Sequence, residues 1–338
     1  MPILRANLGF SYIPNTIRAR IGSHELVVDE IDTAYGLIAI HVPPDVTGEV
    51  SIDYQRRIYQ GGTPRHTKVL GTANACIYCG STSDLSDEHI IPYALEGEFV
   101  IRTGSCRSCA EKTSRIELKI LRDALLAPRT ALKLRTRRPK ERPTSLPLVH
   151  SVEGLESTVY LPVADHPTHL ALPLFALPAH VRGDKVPNLK VIVSGAWTIP
   201  VSAATFDAAA RRVGQGDTLL RVSLDVYAFA RLLAKIAHGF VAIADIGDVE
   251  AFLPGPMFAS DESIGRWVGG APDMKVVAEG LHGVCLEVIE GEIHVRVRLF
   301  AQLGGPEYLV VAGRLIEPSP QDMPIVTIQS TSNDCDSA

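Results

Sequence analysis

No uninterrupted apolar run in the chain approaches the ~20 residues that a bilayer-spanning helix needs, so no membrane span is expected. The opening stretch, MPILRANLGFSYIP, has no charged leader followed by an apolar block, which argues against a secretory signal and leaves a cytoplasmic location as the expectation. Aromatic residues are scarce at 6% and charged residues amount to 21%, against 46% hydrophobic. That balance excludes wholesale disorder and suits an ordinary globular protein. A length of 338 residues leaves room for about two or three domains with cores of their own.

Cysteine is also sparse, and its placement is uneven. Of six, four form the pairs Cys76-Ile77-Tyr78-Cys79 and Cys106-Arg107-Ser108-Cys109, while Cys285 lies in an apolar run and Cys335 in a polar tail. In a cytosolic chain such pairs point to a metal site rather than to disulfides. Each CxxC turn aims two thiolates at one cation, and four thiolates close a tetrahedral shell around Zn²⁺. A closed shell leaves no position for water, so this zinc is expected to be structural, stabilising a stretch too small to fold on its own core.

Between the pairs stands Asp84-Leu85-Ser86-Asp87-Glu88-His89-Ile90-Ile91-Pro92. Here the sequence resembles the HNH endonucleases of the ββα-metal superfamily, whose zinc-bearing members frame an acidic-His-Ile-Ile-Pro element with two CxxC pairs. The likeness covers about residues 72–143. More loosely, Lys235-Ile236-Ala237-His238 and Leu299-Phe300-Ala301 are similar to segments of bacterial proteins bearing that label. The resemblance implies a bent hairpin followed by a helix, with His89 as general base and Glu88 as first ligand of a catalytic divalent cation such as Mg²⁺. Asp87 is a further carboxylate for that ion. The chemistry is coherent, because phosphodiester hydrolysis needs a deprotonated water and a charge to face the phosphate.

The chain departs from the family pattern in two places. There is no asparagine between Cys76 and Pro143, and His89 is the only histidine in that interval. The family's final metal ligand, just after the second knuckle, is here Ala110. If a helix begins near Arg107, then Ala110, Thr113, Ser114 and Glu117 share one face, and Ser114 or Glu117 is expected to complete the site. Otherwise water fills the position, or the site is inactive.

Net charge is −5, but residues 101–142 hold 13 Lys or Arg against 4 Asp or Glu, leaving 20 against 34 elsewhere. Such asymmetry suits a polyanion-facing region set in an acidic body; a solvated basic surface would have the same composition. Arg115, Lys119 and Arg122 follow one another on a helix face, and Lys133, Arg135, Arg137, Arg138, Lys140 and Arg142 crowd the stretch behind it. Beside the motif these residues are expected to contact nucleic-acid phosphates, most simply those of double-stranded DNA.

The expected fold class is α+β. A zinc-stapled ββα module (72–127) would stand between a β-rich N-terminal region (1–71) and an α+β domain (150–316). Residues 128–149, rich in Pro and Arg, would form an extended basic connector, and 317–338 a loose tail. Strands are expected at His24–Ile31, Leu37–Val42, Val50–Tyr54, Ser157–Val163, His169–Leu174, Leu189–Val193 and Thr218–Leu224, with a meander over Val284–Ile289, Glu292–Ala301 and Tyr308–Leu315. Thr205–Val213 reads as a short helix. Asp225–Ala244, apolar on nearly every face, reads as a buried helix. His238 and His282 stand alone and are expected to be satisfied core residues. Together these features predict a metal-dependent endonuclease, the alternative being an inactive zinc scaffold of the same type that only binds nucleic acid or a protein partner.

Overall fold

The structure, a computed structural model, describes residues 3–7, 17–32, 37–47, 50–53, 67–184, 190–214, 216–260, 262–276, 280–316 and 326–329. The chain is α+β and divides into two compact units: residues 1–59 with 300–305, and residues 60–299 with 306–338. In the first unit, β1 (Ile3–Asn7), β2 (Arg18–Ile21), β3 (His24–Asp32), β4 (Leu37–His41) and β5 (Val50–Asp53) form an antiparallel sheet of order β1-β4-β3-β2-β5. The alternation along β2 sends Ala19 and Ile21 inward, where they join Ile17, Leu26, Ile40 and Val42 in a small core. The strands expected from His24, Leu37 and Val50 are formed, Tyr54 of the last lying outside the described residues.

The second unit opens with β6 (Lys68–Thr72), β7 (Leu85–His89) and β8 (Phe99–Cys106), in which β8 pairs parallel with β6 and antiparallel with β7. Helix α1 (Arg107–Arg122) follows β8 without a loop. Then come α2 (Leu126–Ala131), β9 (Ser145–Val152) and β10 (Leu155–Pro162), β11 (His169–Phe175), α3 (Ala179–Arg182), β12 (Val193–Pro200), α4 (Phe206–Val213) and β13 (Asp217–Leu219). Strands β10-β9-β13 form one small sheet and β11-β12 a ribbon. The strand expected at Leu189–Val193 is not formed over 190–192, while Leu189 lies outside the described residues. Strand β13 runs only where β9 offers partners, from Val149 to Ser151.

Helix α5 (Val226–Val241) is the buried helix that its composition indicates. Asp225 caps it, its carboxylate accepting the Ala228 N–H at 2.8 Å. Thr205 caps α4 in the same way. Beyond α5 lie β14 (Val249–Ala251), α6 (Pro254–Phe258), β15 (Val268–Gly270), β16 (Gly283–Ile289), β17 (Glu292–Arg298), β18 (Glu307–Leu315) and β19 (Val326–Gln329), whose sheet contains the expected meander β16-β17-β18. One face of α5 packs on β17 and β18, and another meets α1. Residues 317–325 and 330–338 of the expected loose tail lie outside the described residues. Among the described residues, no helix is long and apolar enough to cross a membrane.

The segment 128–149 is not an extended connector. It continues from α2 through a turn at Pro139–Glu141 into β9, and Leu132, Leu134, Leu146 and Leu148 are buried. Proline and arginine content points to a solvated linker, but these leucines pack into the core, and several arginines bond main-chain carbonyls rather than water.

The tight passage from β7 to β8 depends on Gly97. A Cβ there would lie 1.8 Å from the Ile91 carbonyl oxygen, so the chain passes where only glycine fits. Gly97→Ala is therefore expected to cost about 1–3 kcal/mol through overpacking, read as a lowered midpoint of thermal unfolding.

Candidate metal centre and cleft

The four paired cysteines converge. The Sγ atoms of Cys76, Cys79, Cys106 and Cys109 all lie within 4.8 Å of one another, and Cys79 and Cys106 approach to 3.7 Å. Tetrahedral Zn–S bonds of ~2.3 Å imply an edge of about 3.8 Å, so the cluster can hold a metal ion such as zinc. Local geometry builds it. The first knuckle is a turn in which the Gly80 N–H reaches the Cys76 carbonyl at 2.8 Å, while the Ile77 N–H bonds the Gly104 carbonyl of β8 at 2.9 Å. Cys106 ends β8 and Cys109 sits in the first turn of α1.

The sulfurs differ in their electrostatics. Burial pushes the Cys76 thiol up, but the main-chain groups of Cys106, Tyr78 and Cys79 more than offset this and bring it down to about 7. Cys109 goes the other way, raised by burial and by the crowding of the other three sulfurs. Four thiolates at this spacing repel one another unless a cation divides their charge.

The acidic-histidine element lies on β7, and its pairing with β8 shifts register between Ser86 and Glu88. Asp87 occupies the irregularity. Its carboxylate accepts the Thr103 N–H at 3.2 Å, and Thr103 has φ +50°, an unfavourable conformation for a β-branched residue. Glu88 is then buried while His89 is half-buried. The exposed Asp87 thus has a local task in fixing the bulge.

Glu88 already has a cation. Lys235 of α5, 1% exposed, places Nζ 2.8 Å from Glu88 Oε1 and 3.1 Å from Glu117 Oε1 of α1. The same ammonium donates to the carbonyls of His89 and Ile90, the latter at 3.2 Å. Burial opposes the charge on Lys235, but Glu88 and Glu117 together hold its pKa above the ordinary value, so it is an ammonium. The Tyr78 hydroxyl donates to Glu88 Oε1 at 3.2 Å. A divalent ion at Glu88 would have to share that carboxylate with a positive charge already beside it, so the residues present do not fit the catalytic metal assigned to them from sequence.

His89 looks into a cleft of about 720 Å³ whose lining includes Ala110, Ser114, Glu117, Arg137, Arg138 and Arg142. The α1 face expected to carry Ala110, Thr113, Ser114 and Glu117 thus borders the cleft. Burial and the charges of Lys235 and Arg137 push the His89 pKa below its ordinary value, keeping the imidazole neutral near pH 7. Its Nδ1 finds no hydrogen-bond partner among the described residues. The Tyr93 ring meets the imidazole edge-on at 5.7 Å and carries the guanidinium groups of Arg135 and Arg137 at 4.7 and 5.6 Å.

The basic residues differ in their surroundings. Arg135 is 11% exposed and pairs with the buried Glu96 at 2.9 Å. Arg142 donates to the carbonyls of Arg129 and Leu134, and Arg129 to those of Ala94 and Leu121. Lys119 pairs with Asp225, and Arg138 with Glu141 at 3.3 Å. Arg115, Arg122, Lys133, Arg137 and Lys140 are exposed. Two residues that no motif indicated belong to the site, Lys235 and Glu96. A lone lysine in an otherwise apolar helix was the available signal, since a buried ammonium requires acidic partners. His238 and His282 are satisfied by the carbonyls of Ile77 and Leu95 at 2.7 and 2.5 Å. His238 also stacks on Tyr78 at 5.4 Å, which ties α5 to the first knuckle.

No family model, curated protein or solved structure matches the chain.

Two outcomes follow from this geometry. Metal analysis of the purified protein is expected to give one zinc per chain, with Cys106→Ser losing the metal and the fold of residues 72–122. Arg135→Met should cost about 3–5 kcal/mol in chemical denaturation, because it strands a buried carboxylate, whereas Arg137→Gln should change stability by no more than about 0.5 kcal/mol.

Proposed function

We propose that the chain binds nucleic acid along the cleft and hydrolyses its phosphodiester bonds there, in the manner of the HNH endonucleases that its motif resembles. The observation that supports this most directly is one cleft lined by His89, whose imidazole is neutral near pH 7, and by Arg137 and Arg138. The bulged β7-β8 pair presents His89, and the chain beyond α2 brings Arg137 and Arg138 to the same cleft. His89 takes the proton from a water, whose oxygen forms the new bond to phosphorus as the bond to the leaving oxygen breaks. The arginines hold the phosphate oxygens and face the charge that gathers on them. Duplex DNA is the substrate proposed, and the exposed Arg115, Arg122, Lys133 and Lys140 extend the positive surface beyond the cleft.

A second reading, binding without cleavage, is favoured by Lys235. The carboxylates that would carry a catalytic ion are already neutralised in part, and Ala110 supplies no ligand.

A plasmid-nicking assay on the zinc-loaded protein, with and without added Mg²⁺ or Mn²⁺, separates the two. The proposal expects nicking that falls by ~10²–10⁴-fold in His89→Ala while zinc content and DNA binding stay unchanged. Because the His89 pKa is lowered, the neutral base persists to more acid pH, and the acid limb of the rate profile should lie below the ordinary histidine range. Salt-dependent DNA binding with no nicking under any condition would leave the second reading; no binding at low salt would remove both. Replacing Arg137 and Arg138 by Gln should reduce the slope of log K against log salt by up to ~0.9 for each duplex phosphate that is no longer neutralised.

A further inference from the structure

Lys235 stands in an unusual place. It lies in the middle of α5, where the neighbouring Leu232, Leu233, Ala234, Ile236 and Ala237 are all fully buried. A lysine there can be stable only if its ammonium meets acceptors that replace water. It meets four: Glu88 Oε1 at 2.8 Å, Glu117 Oε1 at 3.1 Å, the Ile90 carbonyl at 3.2 Å and the His89 carbonyl. They come from β7, from the chain that leaves it and from α1, and the ammonium joins all of these to α5.

An ammonium has three N–H bonds, so four oxygens exceed what one-to-one hydrogen bonding requires. Two carboxylates and two main-chain carbonyls are instead the kind of oxygen set that surrounds a hard divalent cation. We propose that Lys235 is the resident cation of this site: its tethered ammonium occupies the position of a divalent ion between Glu88 and Glu117, and the cleft operates without a second metal. The role of the cleft rests on the nucleic-acid reading above, but the occupancy of the oxygen set by Lys235 is tested without nucleic acid.

The experiment uses the full-length, zinc-loaded protein and Mn²⁺ as the probe, followed by electron paramagnetic resonance and by thermal unfolding. Wild type is expected to take up no Mn²⁺ that depends on Glu88. Lys235→Ala removes the ammonium and leaves the oxygens, so it should gain Mn²⁺ binding that wild type lacks, and its unfolding temperature should rise with Mn²⁺ while that of wild type does not. Adding Glu88→Gln to Lys235→Ala should abolish both effects. Lys235→Gln, which keeps a donor for the carbonyls but no charge, covers the case in which the alanine variant does not fold. Mn²⁺ bound by wild type and absent from Glu88→Gln would overturn the inference, as would a folded Lys235 variant that gains no Mn²⁺. Failure of the nuclease reading shows separately, as absent nicking with these metal-binding results unchanged.

Discussion

The Lys235 ammonium, buried among oxygens from β7, the chain beyond it and α1, is the interaction on which the arrangement of the cleft depends. Taking an ammonium out of water costs several kcal/mol even after relaxation. Each opposite charge at about 4 Å returns on the order of 4 kcal/mol at an effective dielectric near 20. Two carboxylates and two carbonyls therefore suffice to hold the charge, which agrees with its raised pKa. The same interaction also fixes registration. Helix α5 is apolar on most faces, and Nζ must reach carboxylates of both β7 and α1, which ties the helix to one setting against them. His238, bonded to the Ile77 carbonyl one turn further on, fixes the same setting a second time.

From that anchor the site follows by short-range rules. The register shift at Asp87 lets both Glu88 and His89 border the cleft, although adjacent residues on a regular strand face opposite sides. The strain of Thr103 at φ +50° is sustained by the Asp87 carboxylate on its N–H and by its own hydroxyl donating to the Ala73 carbonyl at 2.5 Å. Cys106 ends β8 and Cys109 lies in the first turn of α1, so a cation held by the four sulfurs would brace the junction of strand and helix. The cysteine cluster, the bulge and the ammonium all bear on the stretch from Cys76 to Glu117.

Elements with a strong local pattern were legible in the sequence. The meander at Val284–Leu315 and the helices that begin near Thr205 and Asp225 each rest on period or turn residues within a few positions. The convergence of the four cysteines was equally legible, because CxxC spacing is itself a geometric statement. The rest was hidden by distance along the chain. Lys235 is separated from His89 by 146 positions, and no periodicity reports such a pairing; a lysine in an apolar helix was the signal that went unread. Residues 128–149 misled for the opposite reason. Their composition is that of a linker, whereas Leu132, Leu134 and the arginine–carbonyl bonds that fold them are tertiary facts.

The same distinction alters what the basic segment means. Counted by composition, residues 101–142 form a strongly positive block, and every cation in it counts toward a polyanion. In the fold, Arg129, Arg135 and Arg142 serve carbonyls and a buried glutamate, and Lys119 serves the capping Asp225. Their charges still contribute to the local field, but their donors are engaged, and releasing them would cost part of the structure. The Arg138–Glu141 pair is exposed on both sides and of the kind worth about 0–1 kcal/mol, so a phosphate can displace the glutamate at little cost. Arg137, held over Tyr93 beside His89, is oriented without being consumed. A ligand reading this surface would therefore find a few directed cations at the cleft mouth and a diffuse positive field around them. Under the proposed function, that pattern would place one phosphate beside the imidazole and leave the remainder of the binding surface weak and sensitive to salt.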